Sequence, residues 1–230
     1  MNKKAINIAI DGYSSCGKSS IAKEISRNFN MIYVDSGAMY RAITLFCLEK
    51  NIINDNKFVE CKVVELLNQI EIKYNYNINA NISEIFLNGV NVEDKIRSKK
   101  VSQFVSKISQ INEVRQKLIK IQKDICLNKN VVMDGRDIAT KVMPNADLKF
   151  FITADVKVRA KRRYDELKTS DKSLTFSEVL YNLIERDNDD INRKINPLIK
   201  SKDAIVIDNT SLNFAQQNEL IFNYIQNVKT

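Results

Sequence analysis

Histidine is missing from all 230 residues. That absence removes Ser-His-Asp catalysis, HExxH zinc chemistry and any imidazole proton relay, so chemistry performed here rests on other groups. Reactions that need mainly orientation and positive charge, phosphoryl transfer first among them, pass this filter. Cysteine is scarce: Cys16, Cys47, Cys61 and Cys126 include no CxxC pair of the kind that marks a zinc or redox site. Reduced, mainly structural thiols are expected. No run approaches the roughly 20 uninterrupted apolar residues of a membrane-spanning helix. The opening MNKKAINIAIDG also lacks a long apolar signal core, because Asp11 and Gly12 end it. A cytoplasmic protein with no membrane partner is the expectation. Long repeats, low-complexity tracts and Pro/Gly/Ser linkers are lacking too. At 44% hydrophobic residues the chain is long enough for one well-buried core with at most a small inserted domain.

Positive charge is in excess: 36 Lys and Arg against 28 Asp and Glu give a formal net charge of +8. This favours an anionic partner such as a nucleotide or nucleic acid, although lysines spread over solvated faces produce the same sum. Along the chain, Ala5 to Ile10 is a β-prone run stopped by Asp-Gly, and Ile21 to Ile25 resumes with helical spacing. Met31 to Val34 predicts a second strand, and Ala38 to Lys50 a helix, with Ser36 placed as its N-cap. From about 68 to 98 the texture changes: QIEIKYNYN and ISEIFLNGVNV alternate apolar and polar residues around Asn-rich turns, predicting a small antiparallel insertion. Helical patterns run through Val101 to Cys126, and further short strands are expected at Asn130 to Met133, Leu148 to Ala154 and Ala204 to Ile207. Strands alternating with helices predict a mostly parallel sheet covered on both faces.

Gly12-Tyr13-Ser14-Ser15-Cys16-Gly17-Lys18-Ser19 matches G-x-x-x-x-G-K-[ST] at every fixed position, follows a predicted strand and opens a predicted helix, so this stretch together with Ser20 is the expected ATP-binding segment. The two glycines permit close backbone approach, so successive N–H groups converge on phosphate oxygens at a helix N-terminus. Lys18 is expected on the β- and γ-phosphates of ATP, and Ser19 on the accompanying Mg2+. The loop alone does not separate kinases from GTPases, ATP-driven machines or nucleotide sensors. Asp134, at a strand end two residues before Arg136, offers a carboxylate for magnesium-bound water beside a guanidinium for a phosphate. Arg186, Asp190 and Arg193 fall on one helical face and suit either a sugar-phosphate clamp or solvated ion pairing. Arg159 and Arg163, a turn apart, belong either to a basic surface helix or to a lid closing beside a mobile segment such as Lys168 to Ser173.

Taken together, IAIDGYSSCGKSS, VDSGAMYRA, VVMDGRDIATKVMPNA, RAKRR and ERDNDDINR, in this order and covering about residues 5 to 210, resemble the bacterial type of cytidylate kinase. The resemblance implies a P-loop nucleoside monophosphate kinase-like α/β fold: a five-stranded parallel sheet with helices on both faces, a small antiparallel β insertion and a helical lid. It implies a core of residues 1–67 and 99–230 that includes a lid at about 157–175, with 68–98 as the inserted monophosphate-binding subdomain. The activity implied is transfer of the γ-phosphate of ATP to CMP or dCMP, by a monomer that needs no nucleic acid.

The resemblance also assigns residues. Ser36, Tyr40, Arg41 and Arg136 fall on the acceptor side. Arg186 and Asp190 contact the acceptor's sugar, and Arg193 with Arg186 approaches the transferring phosphate. Ser106, Arg115 and Asp137 match positions that contact the base, with Asp137 accepting from the exocyclic amino group of cytosine; uracil would leave that carboxylate unpaired. Departures from the pattern are Tyr13 in place of Pro, Ser15 in place of a small residue, often Gly, and Ala139 where Gly is usual. Two alternatives remain open: a kinase for another small acceptor such as UMP, AMP or shikimate, and a non-catalytic ATP-holding RNA-binding protein.

Overall fold

Alternation along the central strand sets the architecture. In β1 (Ile8–Gly12), Ile8 and Ile10 turn to one side of the sheet and Ala9 to the other, and all are fully buried, as a strand covered on both faces requires. The computed structural model describes residues 5–55, 57–77, 82–127, 130–169 and 172–229. After β1 come α1 (Lys18–Phe29), β2 (Ile32–Asp35), α2 (Ser36–Glu49), β3 (Ile53–Asn54), β4 (Lys57–Phe58) and α3 (Glu60–Leu66). The middle of the chain forms β5 (Ile72–Asn77), β6 (Ile82–Leu87), β7 (Val90–Asn91), α4 (Lys99–Ile108), α5 (Asn112–Cys126) and β8 (Val131–Gly135). Then follow a π-type turn (Ile138–Val142), β9 (Leu148–Thr153), α6 (Val156–Leu167), α7 (Phe176–Asn192), β10 (Ile205–Asp208) and α8 (Phe214–Lys229).

Five strands form one parallel sheet in the order β2-β8-β1-β9-β10. The chain first builds one side of β1 and then crosses to the other, so the strand order reverses between β8 and β9. The crevice that an α/β sheet offers to ligands therefore opens at the carboxyl ends of these central strands. On one face, Ile21 and Ile25 of α1 and Ile221 and Ile225 of α8 pack on Ile8, Ile10, Val132 and Phe150. On the other, residues of α2, α4 and α5, among them Met39, Ile43, Val105 and Leu118, pack on Ala9, Val34, Val131 and Met133. No described helix is long and apolar enough to cross a membrane.

Strands β5, β6 and β7 make a separate antiparallel sheet. Its Ile72, Ile85 and Leu87 bury into the same core as α2 and α4, so it shares the main core and has none of its own. The Tyr74 hydroxyl donates to the Tyr33 carbonyl at 2.5 Å and Ser83 Oγ to the same oxygen at 3.1 Å, covering part of the open edge of β2. Helices α6 and α7 enclose a small apolar cluster of Ala160, Val179 and Leu183. Thr175 and Glu178 close the start of α7 with reciprocal backbone hydrogen bonds. Of the segment Lys168 to Ser173, expected to be mobile, residues 170 and 171 lie outside the described residues.

One local expectation is corrected. The Asp-Gly pairs do not stop their strands: Asp11 aligns with both Gly135 and Phe151, so neighbours on either side carry β1 through Gly12, and β8 likewise runs through Gly135. The helical stretch from Val101 to Cys126 is two helices, because the Ser109 hydroxyl takes the Ser106 carbonyl at 2.9 Å and Ile111 turns, extended, into the core.

Candidate active site

The β1–α1 turn is shaped by backbone angles that few side chains tolerate. Gly12 has φ +148°, and a Cβ there would lie 2.0 Å from the Ile152 carbonyl oxygen of β9, so only glycine fits. Ser15 takes φ +57° with a side chain attached, a conformation that costs about 1–2 kcal/mol in an L-residue. No side chain caps the first turn of α1, which leaves its N–H groups directed at whatever anion enters the loop. Lys18, 5% exposed, folds beneath the loop and donates to the Tyr13 carbonyl at 2.5 Å. Burial, and then the Arg136 guanidinium, hold its ammonium below the usual lysine pKa.

Asp134 closes the far side of the crevice. Its Oδ2 accepts Ser19 Oγ and its Oδ1 accepts the Tyr33 hydroxyl, both at 2.9 Å. Burial, and then the carboxylate of Asp35 on the adjacent strand, push its pKa up to about 6. Ser19 and Asp134 are hard oxygen donors that suit Mg2+. Two oxygen ligands leave the rest of an octahedral shell to water and phosphate oxygens. Asp11 lies deeper. Its two carboxylate oxygens accept the Ile138 and Ala139 N–H groups at 2.9 and 2.8 Å, fixing the turn that follows Arg136 and Asp137. Burial raises its pKa to about 6 as well.

The acceptor side is a lattice of arginines and aspartates. Arg41 donates to Asp35 at 2.8 Å, with Arg97 at 4.0 Å from the same oxygen. Burial opposes ionisation of Asp35, but Arg41 and then Arg97 hold its pKa below the usual value. Asp35 also caps α2 by accepting the Ala38 N–H at 3.0 Å. This corrects the expectation that Ser36 caps this helix; Ser36 Oγ instead donates to the Asp134 carbonyl at 2.7 Å. Arg136 Nε binds Asp190 at 2.7 Å, Arg193 Nη1 reaches the other oxygen of Asp190 at 3.4 Å, and Arg193 Nε donates to the Asn196 carbonyl at 2.6 Å. Arg115, 1% exposed, donates to Asp137 Oδ2 at 2.6 Å and stacks over the Tyr40 ring at 5.3 Å.

Part of this lattice is unpaired. Among the described residues the buried Tyr40 hydroxyl, Arg41 Nε, Arg115 Nε and Arg193 Nη2 have no hydrogen-bond partner. Arg186 makes no described hydrogen bond or salt bridge, and burial, then Arg136, lower its pKa to about 10. Buried donors left unmade cost about 1–3 kcal/mol each. Concentrated in one cleft, they mark a site whose ligand supplies the acceptors.

The structure brings Lys18, Ser19, Asp134, Arg136, Arg186, Asp190 and Arg193 to the carboxyl ends of β1 and β8, with Arg41 and the Arg115–Asp137 pair beside them. Ser106 is half-buried on α4, near the Ser109 carbonyl to which Arg115 Nη1 donates at 2.8 Å. Ser20 is exposed on α1. The two lid arginines are held apart. Arg159 is buried against the loop, with Nη1 on the Ser14 carbonyl at 3.1 Å, whereas Arg163, a turn further along α6 and half-buried, pairs with Glu166 at 2.8 Å.

Sequence reasoning missed Asp11, Tyr33, Arg97, Asp187 and Asn209. Asp11 stood beside Gly12 and was read only as a strand stop, and Asp187 stood unassigned between Arg186 and Asp190. Asn209, 1% exposed, donates to the Cys16 carbonyl at 2.9 Å and accepts Arg162 Nη1 at 2.9 Å. It carries no local sequence signal, because its loop partner lies 193 residues away.

A family model described as cytidylate kinase matches residues 8–227. A cytidylate kinase from Flavobacterium psychrophilum is 44% identical over 225 residues, covering 98% of this chain and 100% of its own. One from Bacteroides thetaiotaomicron is 46% identical over 216 residues, 94% of each chain. Among solved structures, an uncharacterized protein from Eubacterium ventriosum matches with a TM-score of 0.52 at 12% identity, covering 97% of this chain and 99% of that one. That last likeness is one of fold alone.

Proposed function

The chain belongs to the cytidylate kinase family, and from that membership we propose that its glycine loop and arginine lattice hold ATP end to end with CMP or dCMP for in-line transfer of the γ-phosphoryl group. It is an ATP-dependent phosphotransferase acting on CMP or dCMP, with ADP and CDP or dCDP as products. The observation that carries the arrangement is the cluster of unpaired buried donors on Tyr40, Arg41, Arg115 and Arg193 beside the loop.

The amides of residues 12–20 and Lys18 receive the donor phosphates. Ser19 and, through water, Asp134 would hold Mg2+, which would neutralise charge on those phosphates. Ser36, Tyr40 and Arg41 face the acceptor phosphate. Arg136, Arg186 and Arg193 neutralise the group in transit, while Arg186 and Asp190 engage the acceptor sugar. No general base is required, because the acceptor phosphate, with a second pKa of about 6, is largely ionised at neutral pH. Electrostatic preorganisation replaces the missing histidine.

For the base, Arg115 occupies Asp137 Oδ2, and among the described residues Oδ1 is left with only the Arg193 guanidinium, at 3.7 Å. Oδ1 then accepts from the cytosine amino group, with Ser106 and Arg115 donating to the ring acceptors. Residues 68–98 serve as the monophosphate-binding insertion in a core of 1–67 and 99–230. Helix α6 belongs to a lid at about 157–175, in which Arg163 adds charge on closure and Arg159 acts through the loop it holds. The protein works as a cytoplasmic monomer without nucleic acid.

The test is ADP formation over CMP, dCMP, UMP and AMP. CMP and dCMP are expected to lead, and UMP or AMP outperforming them would overturn the base assignment. Asp137→Asn should cut discrimination against UMP about tenfold or more while AMP-PNP, a non-hydrolysable ATP analogue, still binds. Asparagine is preferred to alanine because alanine would leave Arg115 buried and unpaired.

A further inference from the structure

Helix α7 touches both nucleotide sites. Asp187, 6% exposed, accepts the Ser14 N–H on Oδ1 at 3.1 Å and Arg159 Nη1 on Oδ2 at 2.5 Å. The same Nη1 donates to the Ser14 carbonyl, and Arg159 Nε donates to the Ala154 carbonyl at 2.9 Å. Arg159 lies over the Tyr13 ring at 5.1 Å, and Tyr13 meets Phe151 edge-on at 5.8 Å. Both peptide groups of Ser14, within the phosphate loop, therefore end on one buried ion pair that spans α6 and α7. Arg186, the residue before Asp187, and Asp190, three residues after it, belong to the acceptor lattice.

A loop pinned through both peptide groups to a helix cannot shift alone. We propose that Asp187 is a positioning residue that couples the two nucleotide sites: through Ser14 and Arg159 it ties the phosphate loop to the helix carrying Arg186 and Asp190, so filling one site organises the other. The inference deepens the kinase reading and rests on it. Coupling of this kind is reciprocal and reads out as a ratio of affinities.

The experiment is calorimetric titration of AMP-PNP into the free chain and into the chain saturated with CMP, with the reverse order as a check. In the unmodified protein each nucleotide should tighten the other about tenfold. Asp187→Asn sets an amide N–H₂ or a weaker acceptor against Arg159, and the coupling factor should fall to about one. Arg159→Gln breaks the same pair from α6 and should do likewise, which keeps the test decisive if one variant folds poorly. A purely structural role would lower the melting temperature and both affinities together and leave the factor unchanged. That result, or no coupling in the unmodified protein, overturns the proposal. If CMP does not bind the unmodified chain, the acceptor assignment fails instead, and the monophosphate that does bind takes its place in the same titration.

Discussion

Gly12 and Ser15 share a loop and oppose one another energetically. At Gly12 a methyl group would enter the Ile152 carbonyl, so Gly12→Ala should cost about 4 kcal/mol or prevent folding. At Ser15 the backbone already sits at φ +57°, and Ser15→Gly should raise stability by about 0.5–1 kcal/mol, read as a higher urea midpoint. A fall in that midpoint would show that Ser15 makes a stabilising contact outweighing its strain. The requirement for glycine at position 12 was legible in the motif. Its physical cause was not, because the obstructing atom belongs to β9, far along the chain.

Elements were legible where their pattern is local. The loop between β1 and α1, the alternation of β5 and β6, and the face shared by Arg186 and Asp190 all follow from spacing within a few residues. Less legible was how the insertion attaches. Tyr74 alternates in phase with Ile72 on the inward side of β5, which signals burial but not its partner; its hydroxyl binds the Tyr33 carbonyl and accepts the Asp35 N–H at 3.4 Å, immediately beside the carboxylate that holds Arg41. Tyr74→Phe should therefore destabilise the chain by about 1–2 kcal/mol. It should also raise the KM for CMP more than the KM for ATP. Equal effects on both substrates would show that the insertion does not steady the acceptor side.

At the scale of the whole molecule, buried carboxylates set the response to pH. Asp11 has a folded pKa of about 6 against an ordinary 3.8, so the folded state binds its proton more tightly than the unfolded chain. That contribution is complete at low pH and is lost as pH rises through about 6, a change of about 3 kcal/mol. Asp35 and Asp190 run the other way: arginine neighbours hold them below 3.8, and their contribution is lost as pH falls through those lowered values. Stability should therefore peak at about pH 4–6. Urea unfolding should show lower stability at about pH 8 than at about pH 5, with a shallower fall in Asp11→Asn. Equal slopes in the two proteins would remove Asp11 as the cause.

The chain's order of residues by itself determined the phosphate loop, the alternating strands and helices, the lack of any imidazole mechanism and the motifs that place it among cytidylate kinases. Each depends on neighbours a few positions apart, or on composition, and needs no knowledge of where distant segments meet. Only the tertiary structure decided that Asp11 steadies the turn at Ile138 and Ala139, that Asp187 reaches Ser14, and that Arg159 binds the loop. Those contacts join residues 127, 173 and 145 positions apart. They exist because the strand order places β8 and β9 on either side of β1, and burial then obliges each charged group brought there to find a partner.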